Sequence, residues 1–379
     1  MKLIKIYTTI ILLFSFTVNS QTTINGSFMF GGENRTYSFY VPASYNPATP
    51  VPLVLNLHGY TSNGQEQRVY ANFMPIADTA NFIVVHPDGT INSFTNERFW
   101  NFNIMGSTVN DVGFLEALID TISANYSINS NRVYSVGMSN GGYMSYYLAC
   151  QSSRFAAVGS VTGAMSIGMY NNCNTSNPTP AIQIHGTADN VVPYAGNLTS
   201  KPIVDVVNFW VNNNGCNATP VVTNISDINT SDGTTAERFV YSGGINGNTV
   251  ELFKVTGGGH TWPGALPLPL NGNTCMDFSA SKEVWRFFSQ YQHASTLSLP
   301  ENEKSTVLIW PNPSTGIFNF QSLSNNINEV LVVDMMGREV DSKEGDNILD
   351  IDLSNLDKGN YLLYLKNKGN QIVKNISIH

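Results

Sequence analysis

One short stretch, residues 133–142, constrains the fold of this chain more than any other part of the sequence. The apolar run at 133–136 leads directly into Gly-Met-Ser-Asn-Gly, and a helix-like stretch follows at 143–150. Where a strand turns sharply into a helix, a serine on the turn projects its hydroxyl above the sheet, and only small flanking residues avoid a collision. The pattern therefore predicts Ser139 as a nucleophile at the end of a buried strand.

Buried strands alternate with helical stretches on both sides of this motif. Near-continuous apolar runs are typical of strands that are covered on both faces of a parallel sheet. The alternation predicts an α/β domain built on a doubly wound, mainly parallel sheet, with its chemistry where strands end. The predicted strands are residues 53–57, 82–85, 133–136 and 181–184, and the predicted helices are residues 112–122, 203–211 and 281–288.

The character of the sequence changes after Tyr291. Residues 293–305 show no periodicity and are predicted to be a linker. Residues 306–379 contain short alternating strands separated by Gly, Asn and Asp, which is typical of a small β-sandwich. We therefore expect a catalytic domain over residues 21–292 and a separate C-terminal β-sandwich.

The first twenty residues have the composition of a secretory signal peptide. Lys2 and Lys5 precede a short apolar run, and the small Ser20 stands before the polar Gln21. Because the run is shorter than the roughly 20 apolar residues of a membrane span, we expect cleavage after Ser20 and no stable membrane span.

The net charge of −8, with no run of lysine or arginine, argues against a nucleic-acid partner.

The predicted nucleophile needs a histidine to remove its proton and a carboxylate to orient that histidine. With this strand-to-serine turn, the order along the chain is serine, acid, histidine. Of the histidines after Ser139, His293 and His379 lie in the predicted linker and at the terminus. His260 follows a strand-like stretch and three glycines, so it is the predicted base, while His185 is predicted to pack within its loop.

Asp189 occupies the position expected for the acid. It lies just past the buried strand at residues 181–184, between the serine and the histidine in chain order. Asp205 and Asp277 are alternative acids, but one lies in a predicted helix and the other near the start of the last helix. The sequence therefore favours Asp189.

Two backbone N–H groups are expected to form an oxyanion hole. One belongs to Asn140, which follows the nucleophile, and the other to Tyr60 in Leu57-His58-Gly59-Tyr60, where Gly59 permits a close approach of the substrate.

No Cys-x-x-Cys or His-Glu-x-x-His spacing indicates a metal site. We therefore expect a serine mechanism with no metal and no cofactor. Trp262, two residues after the base, is predicted to bind substrate in the pocket.

Short motifs run through nearly the whole catalytic domain: Leu57-His58-Gly59, His86-Pro87-Asp88-Gly89, Asp111-Val112-Gly113-Phe114, and the segments at 137–142, 185–189 and 257–264. Together they resemble the polyhydroxybutyrate depolymerase and feruloyl esterase group within carbohydrate esterase family 1. The resemblance implies an α/β-hydrolase fold. It also implies Ser139 as nucleophile, Asp189 as acid and His260 as base.

The four cysteines, Cys150, Cys173, Cys216 and Cys275, allow three disulfide pairings or four free thiols. Export makes disulfides possible. Cys150 and Cys173 flank one strand-loop unit, so we predict that these two pair and that Cys216 pairs with Cys275. Members of the family often carry a cysteine at the position of residues 241–244, which pairs with the cysteine that corresponds to Cys216. That cysteine is absent here, and Cys275 is taken as its replacement.

A second set of motifs fills the C-terminal unit, at residues 311–316, 333–337, 356–361 and 374–376. In this order they resemble the C-terminal sorting domain of proteins exported by type IX secretion. The resemblance implies the type IX secretion machinery as a partner and a secreted or cell-surface location. A polymer-binding module of the same sandwich type is the alternative, but no row of aromatic residues supports it.

These features together predict a secreted serine esterase that hydrolyses carboxylic esters through an acyl-enzyme. Feruloyl or acetyl esters on plant polysaccharide are the favoured substrates, and an extracellular polyester depolymerase of the polyhydroxybutyrate type is the alternative. A secreted serine peptidase and a non-catalytic surface adhesion protein are further interpretations. The intact triad and its flanking glycines argue against an inactive fold.

Overall fold

The computed structural model describes residues 21–104, 107–175, 177–293, 307–322, 326–334, 338–366 and 371–379. The predicted signal peptide lies outside these residues, as do residues 294–305 of the predicted linker and residues 335–337 of the sorting motif. The chain forms two compact units, which divide after Ala294.

Strands and helices alternate along the first unit. The strands are β1 (Thr22–Phe30), β2 (Glu33–Val41), β3 (Val51–Leu57), β4 (Ile83–Pro87), β5 (Thr90–Ile91), β6 (Arg98–Phe99), β7 (Ile128–Met138), β8 (Ala157–Val161), β9 (Ala181–Gly186), β10 (Val221–Asn224), β11 (Thr235–Tyr241) and β12 (Val250–Thr256). The helices are α1 (Gly64–Tyr70), α2 (Met74–Ala80), α3 (Asp111–Ser123), α4 (Asn140–Gln151), α5 (Ile167–Asn172), α6 (Ile203–Asn213) and α7 (Ala280–Phe288), with 3₁₀ turns at Ile245–Gly247 and Pro269–Asn271. Within the described residues, no helix has both the length and the apolar character to cross a membrane.

Ten of these strands form one mixed sheet in the order β1-β2-β4-β3-β7-β8-β9-β12-β11-β10. The six central strands, from β4 to β12, pair in parallel. At the two edges, β1, β2, β10 and β11 pair antiparallel. The parallel centre confirms the predicted α/β-hydrolase type of fold, while the antiparallel edges are additions that the apolar runs did not indicate.

Helices cover both faces of the sheet because the central strands are apolar on both sides. In β3, Leu53 and Leu55 belong to one core, together with Trp210 of α6. Val54, between them, belongs to the core on the opposite face, together with Phe288 of α7. Burying each such side chain stabilises the fold by about 1.5–3 kcal/mol relative to leaving it exposed. This packing fixes the strand ends that carry the loops of the site.

The second unit consists of antiparallel strands: β13 (Val307–Trp310), β14 (Ile317–Ser322), β15 (Glu329–Asp334), β16 (Glu339–Glu344), β17 (Asp350–Asp352), β18 (Gly359–Lys366) and β19 (Gln371–Ile378). They form two sheets, ordered β13-β14-β17 and β16-β15-β18-β19. Phe318 of the first sheet and Val332 and Leu363 of the second share one buried core. This is the small β architecture that the alternating pattern predicts.

The structure contains one of the two predicted disulfides. Cys150, at the end of α4, is bonded to Cys173, which follows α5. Cys216 and Cys275 are free thiols, so the prediction that they pair is wrong. Sγ of Cys216 contacts the carbonyl oxygen of Asn248, just before β12, whereas Cys275 packs in a small core at the other end of that strand. A strand of this length spans roughly 20 Å, and bonded cysteines need Cα atoms within ~7 Å.

Candidate active site

The carboxyl ends of the parallel strands meet along one edge of the sheet, where doubly wound folds bind their ligands. β3 ends at Leu57, β7 at Met138, β9 at Gly186 and β12 at Thr256. The loops that follow these four strands carry the residues predicted to act in catalysis. The fold therefore brings together side chains that lie far apart along the chain.

Ser139 stands on the turn between β7 and α4 with a φ of 53°, in the left-handed region that residues other than glycine rarely adopt. A Cβ on Gly137 would lie 2.3 Å from the carbonyl carbon of Gly141, and a Cβ on Gly141 would lie 2.4 Å from the carbonyl oxygen of Leu57. The two glycines thus allow strand, turn and helix to pack closely. Backbone strain of this kind is concentrated at active sites.

The carboxylate of Asp189 holds the ring of His260. Nδ1 of His260 lies 2.8 Å from Oδ2 of Asp189, and Oδ1 accepts the backbone N–H groups of Val191 and Val192 at 2.9 and 2.8 Å. Burial alone raises the pKa of Asp189, but hydrogen bonds from His185 and His260 outweigh it and hold that pKa well below its usual range. The ionised carboxylate favours the tautomer in which Nδ1 carries the proton and Nε2 can accept one.

His185 supports the carboxylate from the other side. Its Nε2 lies 2.8 Å from the carbonyl oxygen of Val192 and 3.4 Å from Oδ2 of Asp189. Its Nδ1 lies 3.0 Å from Nε2 of Gln183. The ring is fully buried, so these contacts position the acid and its loop and leave His185 away from the solvent-accessible pocket.

The two alternative acids lie elsewhere. Asp277 accepts the backbone N–H groups of Ile228 and Asn229 at 2.9 and 3.0 Å. Asp205 stands in the first turn of α6, where it forms an ion pair of 3.9 Å with Lys201. Neither carboxylate contacts His260, so the geometry favours Asp189 as its partner.

The two N–H groups predicted for the oxyanion hole both border Ser139. Asn140 begins α4, and the first N–H groups of a helix have no partner within it. Gly59 lies against Ser139, since a Cβ there would be 3.6 Å from Cβ of Ser139, and Tyr60 follows. Among the described residues, neither the N–H of Asn140 nor that of Tyr60 has an acceptor. Both can therefore donate to an oxygen that gains negative charge.

A buried network that the sequence patterns did not indicate braces these two N–H groups. Nε1 of Trp100 donates to the carbonyl oxygen of His58 at 3.1 Å, and Nε2 of His58 accepts the N–H of Gly89 at 2.9 Å. Oδ1 of Asn140 accepts the backbone N–H of Trp100 at 2.6 Å, and Nδ2 of Asn140 donates to the carbonyl oxygen of Trp100 at 3.1 Å. One tryptophan thus ties together both sides of the predicted oxyanion hole. His58, Gly89 and Asn140 all lie in motifs quoted from the sequence, but nothing in the sequence indicated that Trp100 joins them.

Trp262 does not line the pocket, and that prediction is wrong. Only 1% of its surface is exposed. The ring packs edge-on against Phe73, and Nε1 donates to Oγ of Ser281 at 3.0 Å. Its backbone N–H instead donates to the hydroxyl of Tyr70 at 3.2 Å. Two other aromatic residues, Tyr60 and Tyr70, line the pocket instead.

Ser139 and His260 line one pocket with a volume of about 410 Å³. Its walls come from the loop after β3, from α1 and from the loop after β12. Apolar surface from residues such as Tyr70, Met138 and Leu268 alternates with a few polar groups, which is typical of a small-molecule site. The other lining residues are Gly59, Tyr60, Thr61, Ser62, Glu66, Gln67 and Asn271.

Two buried imidazoles should make the protein sensitive to acid. Burial lowers the pKa of His58 to about 4 and that of His86 to about 3, from an ordinary value of 6.5. Below pH 6.5 the unfolded chain binds protons that the folded rings exclude, so stability falls as the pH falls towards these lower pKa values. We expect a loss of about 2–3 kcal/mol per ring between about pH 7 and about pH 4.5, measured by urea unfolding.

The variant His86→Leu isolates one of the two rings. It should lose less stability than the natural sequence over the same pH interval, because one group no longer takes up a proton on unfolding. Identical losses in the two proteins would show that His86 is not held neutral by burial.

Two family matches together cover most of the chain. Residues 40–214 match the phospholipase/carboxylesterase family, and residues 308–379 match the secretion system C-terminal sorting domain. The second match confirms the sorting domain that the C-terminal motifs predict. It indicates export through a secretion system to the cell surface or beyond.

Two sequence relatives are esterases by name, and one solved structure is similar to the chain at low identity. The chain is 27% identical to feruloyl esterase D of Neurospora crassa over 285 residues, 72% of this chain and 87% of that protein. It is 30% identical to a bifunctional acetylxylan esterase/xylanase of Neocallimastix patriciarum over 173 residues, 45% of this chain but only 24% of that protein. The solved structure of an acetyl xylan esterase from Aspergillus awamori aligns with 70% of this chain and 99% of that chain, at 14% identity and a TM-score of 0.49.

The sequence relatives confirm the predicted resemblance to feruloyl esterases, and the sorting-domain match covers the C-terminal unit. The chain is thus similar to the phospholipase/carboxylesterase family, a family of carboxylic ester hydrolases, over residues 40–214, and it matches the secretion system C-terminal sorting domain over residues 308–379.

Proposed function

We propose that this protein is a secreted serine esterase with Ser139, His260 and Asp189 as its catalytic triad. The observation that carries the proposal is the hydrogen bond of 2.8 Å between His260 and Asp189, in a pocket that His260 shares with Ser139 on its strained turn. This is the arrangement that activates a serine hydroxyl towards a carbonyl carbon.

In the proposed reaction Ser139 acts as the nucleophile and His260 transfers the protons. Oγ of Ser139 attacks the ester carbonyl carbon while Nε2 of His260 takes the hydroxyl proton. The N–H groups of Tyr60 and Asn140 stabilise the oxyanion of the tetrahedral intermediate. When the intermediate collapses, the C–O bond of the ester breaks, and His260 gives its proton to the leaving alcohol. Water, deprotonated by His260, then attacks the acyl carbon. The bond from this carbon to Oγ of Ser139 breaks, the acid leaves, and His260 returns the proton to Oγ.

The ester we favour carries a feruloyl or acetyl group on a sugar of plant polysaccharide. A pocket of about 410 Å³ with apolar walls accommodates either acyl group. Relatives of this chain are named as feruloyl and acetylxylan esterases. The polyester alternative shares the same triad chemistry, so only the substrate separates the two.

A panel of substrates tests both the reaction and the ester. We expect hydrolysis of p-nitrophenyl acetate but not of a matched p-nitroanilide, since the proposal is for an esterase and not a peptidase. Among methyl ferulate, acetylated xylan and a hydroxybutyrate oligomer, kcat/KM should be lowest for the oligomer, because this ratio reports binding of the transition state. A clear preference for the oligomer would favour the polyester alternative, and no turnover of any ester would contradict the esterase proposal.

Removing the C-terminal unit should separate catalysis from export. We predict that a chain ending at Ala294 folds and hydrolyses esters at the normal rate, because the triad, the pocket and both large cores lie in the first unit. In the native host, the same truncation should leave the enzyme inside the cell envelope. Activity assays and fractionation of cells and medium check the two results, and normal secretion of the truncated chain would exclude the sorting role.

A further inference from the structure

A second cavity, the polar cleft, lies beside the active-site pocket, and none of Ser139, Asp189 and His260 lines it. Its volume is about 550 Å³, larger than that of the pocket itself. The β1–β2 hairpin forms one wall and the β5–β6 hairpin forms the other. Thr61 and Ser62 line both the polar cleft and the active-site pocket, so the two cavities meet at these residues.

The lining of the polar cleft consists mainly of amide and hydroxyl groups. Asn25 and Ser38 come from the first hairpin, Gln65 from α1 and Asn96 from the second hairpin. Each of these side chains can both donate and accept hydrogen bonds. The hydroxyl groups of a sugar chain have the same double capacity, whereas the repeating unit of an aliphatic polyester only accepts.

The charged side chains of the polar cleft do not create a site for an acidic polymer. The carboxylate of Asp88 already accepts the hydroxyl of Thr36 at 2.6 Å and the N–H of Gly64 at 2.8 Å. Nη1 of Arg98 donates to the carbonyl oxygen of Gly89 at 2.6 Å. With Asp88 and Glu97 beside a single arginine, the lining carries no positive excess that would attract an anionic chain.

A row of polar side chains crosses the sheet at the polar cleft. Asn25 of β1 lies opposite Ser38 of β2, and Ser38 lies opposite His86 of β4, so the three side chains share one face of the sheet. Exposure decreases along the row from Asn25 on the surface to Ser38 at 8% and His86 at 1%. Neither ring nitrogen of His86 has a hydrogen-bond partner among the described residues. Buried polar atoms without partners are rare, so the row leads from an exposed amide to an unusually polar interior.

An aromatic ring lines the active-site pocket next to Thr61, which lines both cavities. The hydroxyl of Tyr60 donates to Oγ1 of Thr95 in the β5–β6 loop at 2.6 Å, which ties the loop after β3 to that hairpin. The side chain of Tyr60 is 41% exposed and also lines the active-site pocket. Its ring offers an apolar face at the point where a chain would pass from one cavity to the other.

We propose that the polar cleft binds an uncharged sugar chain that extends away from the ester in the active-site pocket. The chain passes over Thr61 and Ser62 and forms hydrogen bonds with Asn25, Ser38 and Gln65. This inference rests on the proposed esterase function, because the ester in the active-site pocket fixes where the bound sugar chain begins. It adds to the proposed function the place on this chain where the sugar part of the substrate is bound.

Binding of unesterified oligosaccharides tests the polar cleft without any turnover. In a Ser139→Ala background, calorimetric titration with xylohexaose and cellohexaose should show binding of at least one of them. The double variant Asn25→Ala/Gln65→Ala removes one partner on the β1–β2 hairpin and one on α1, and it should weaken binding about tenfold, the effect of two lost hydrogen bonds. Asn25→Trp, which fills the cleft, should abolish binding. Asn224→Ala, on the exposed strand β10 at the opposite edge of the sheet, is the matched control and should bind normally.

The outcomes separate this inference from the esterase proposal. With Ser139 in place, Asn25→Ala with Gln65→Ala should hydrolyse p-nitrophenyl acetate at the normal rate, because a small ester does not reach the polar cleft. If the natural sequence hydrolysed no ester, the proposed function would be contradicted, but the assignment of the polar cleft would not. Three results would overturn the cleft assignment: no binding of either neutral hexasaccharide, tighter binding of a galacturonate hexamer, or equal binding by the cleft variants and Asn224→Ala.

Discussion

Replacing Ser139 by alanine should reduce kcat for p-nitrophenyl acetate by roughly 10⁴ to 10⁶. The variant keeps the pocket and the N–H groups of Tyr60 and Asn140, but it cannot form the acyl-enzyme. Initial-rate kinetics measure the loss. Labelling by a fluorophosphonate should disappear at the same time, because this reagent bonds to the activated hydroxyl.

The Ser139→Ala protein should fold with the same stability as the natural sequence. Ser139 holds a φ of 53°, and backbone strain of this type costs on the order of 1–3 kcal/mol whichever of the two side chains is present. The matched control is Ser27→Ala, on the exposed strand β1, which should retain full activity and labelling. Persistent labelling of Ser139→Ala would place the nucleophile elsewhere.

The parts of the candidate site that follow a strand directly could be predicted from the sequence. A buried strand has an apolar run that is easy to recognise, and parallel strands end at one edge of the sheet. Ser139 and Asp189 each stand within a few residues of such an end. His260 was located by chain order and by the glycines before it. The structure places these three residues together, with Asp189 and His260 in direct contact.

Contacts between distant loops could not be predicted in the same way. Trp262 lies in a loop without periodicity. Its ring packs on Phe73, which connects α1 and α2 far away in the sequence, and no residue near Trp262 indicates this contact. The brace from Trp100 to His58 and Asn140 likewise depends on loops that meet only in the folded protein. Tertiary packing decides the burial of such residues.

The strands at the edges of the sheet could not be predicted for a different physical reason. β1 alternates exposed and half-buried residues, and all four residues of β10 are exposed. Such strands lack the apolar run that marks a central strand, and antiparallel pairing with a neighbour holds them in place. The hairpin of β1 and β2 forms one wall of the polar cleft, which therefore could not be predicted from apolar patterns.

Replacing Asp189 by asparagine should lower kcat by about 10⁴, and His260→Ala should lower it as much as the loss of the nucleophile does. Asparagine can keep accepting the N–H groups of Val191 and Val192 through its carbonyl oxygen. Its NH₂ group then faces His260 as a donor. The imidazole must turn its unprotonated nitrogen towards that donor, so the nitrogen that faces Ser139 carries a proton and cannot act as a base.

The alternative acids provide matched controls for this prediction. Asp277→Asn and Asp205→Asn remove one negative charge each, as Asp189→Asn does, but neither carboxylate contacts His260. Both variants should retain kcat within about threefold, because only a charge in contact with the imidazole stabilises the imidazolium that forms in the transition state. Measured under one set of conditions, a harmless Asp189→Asn together with an inactive Asp277→Asn or Asp205→Asn would transfer the role of the acid to the other carboxylate.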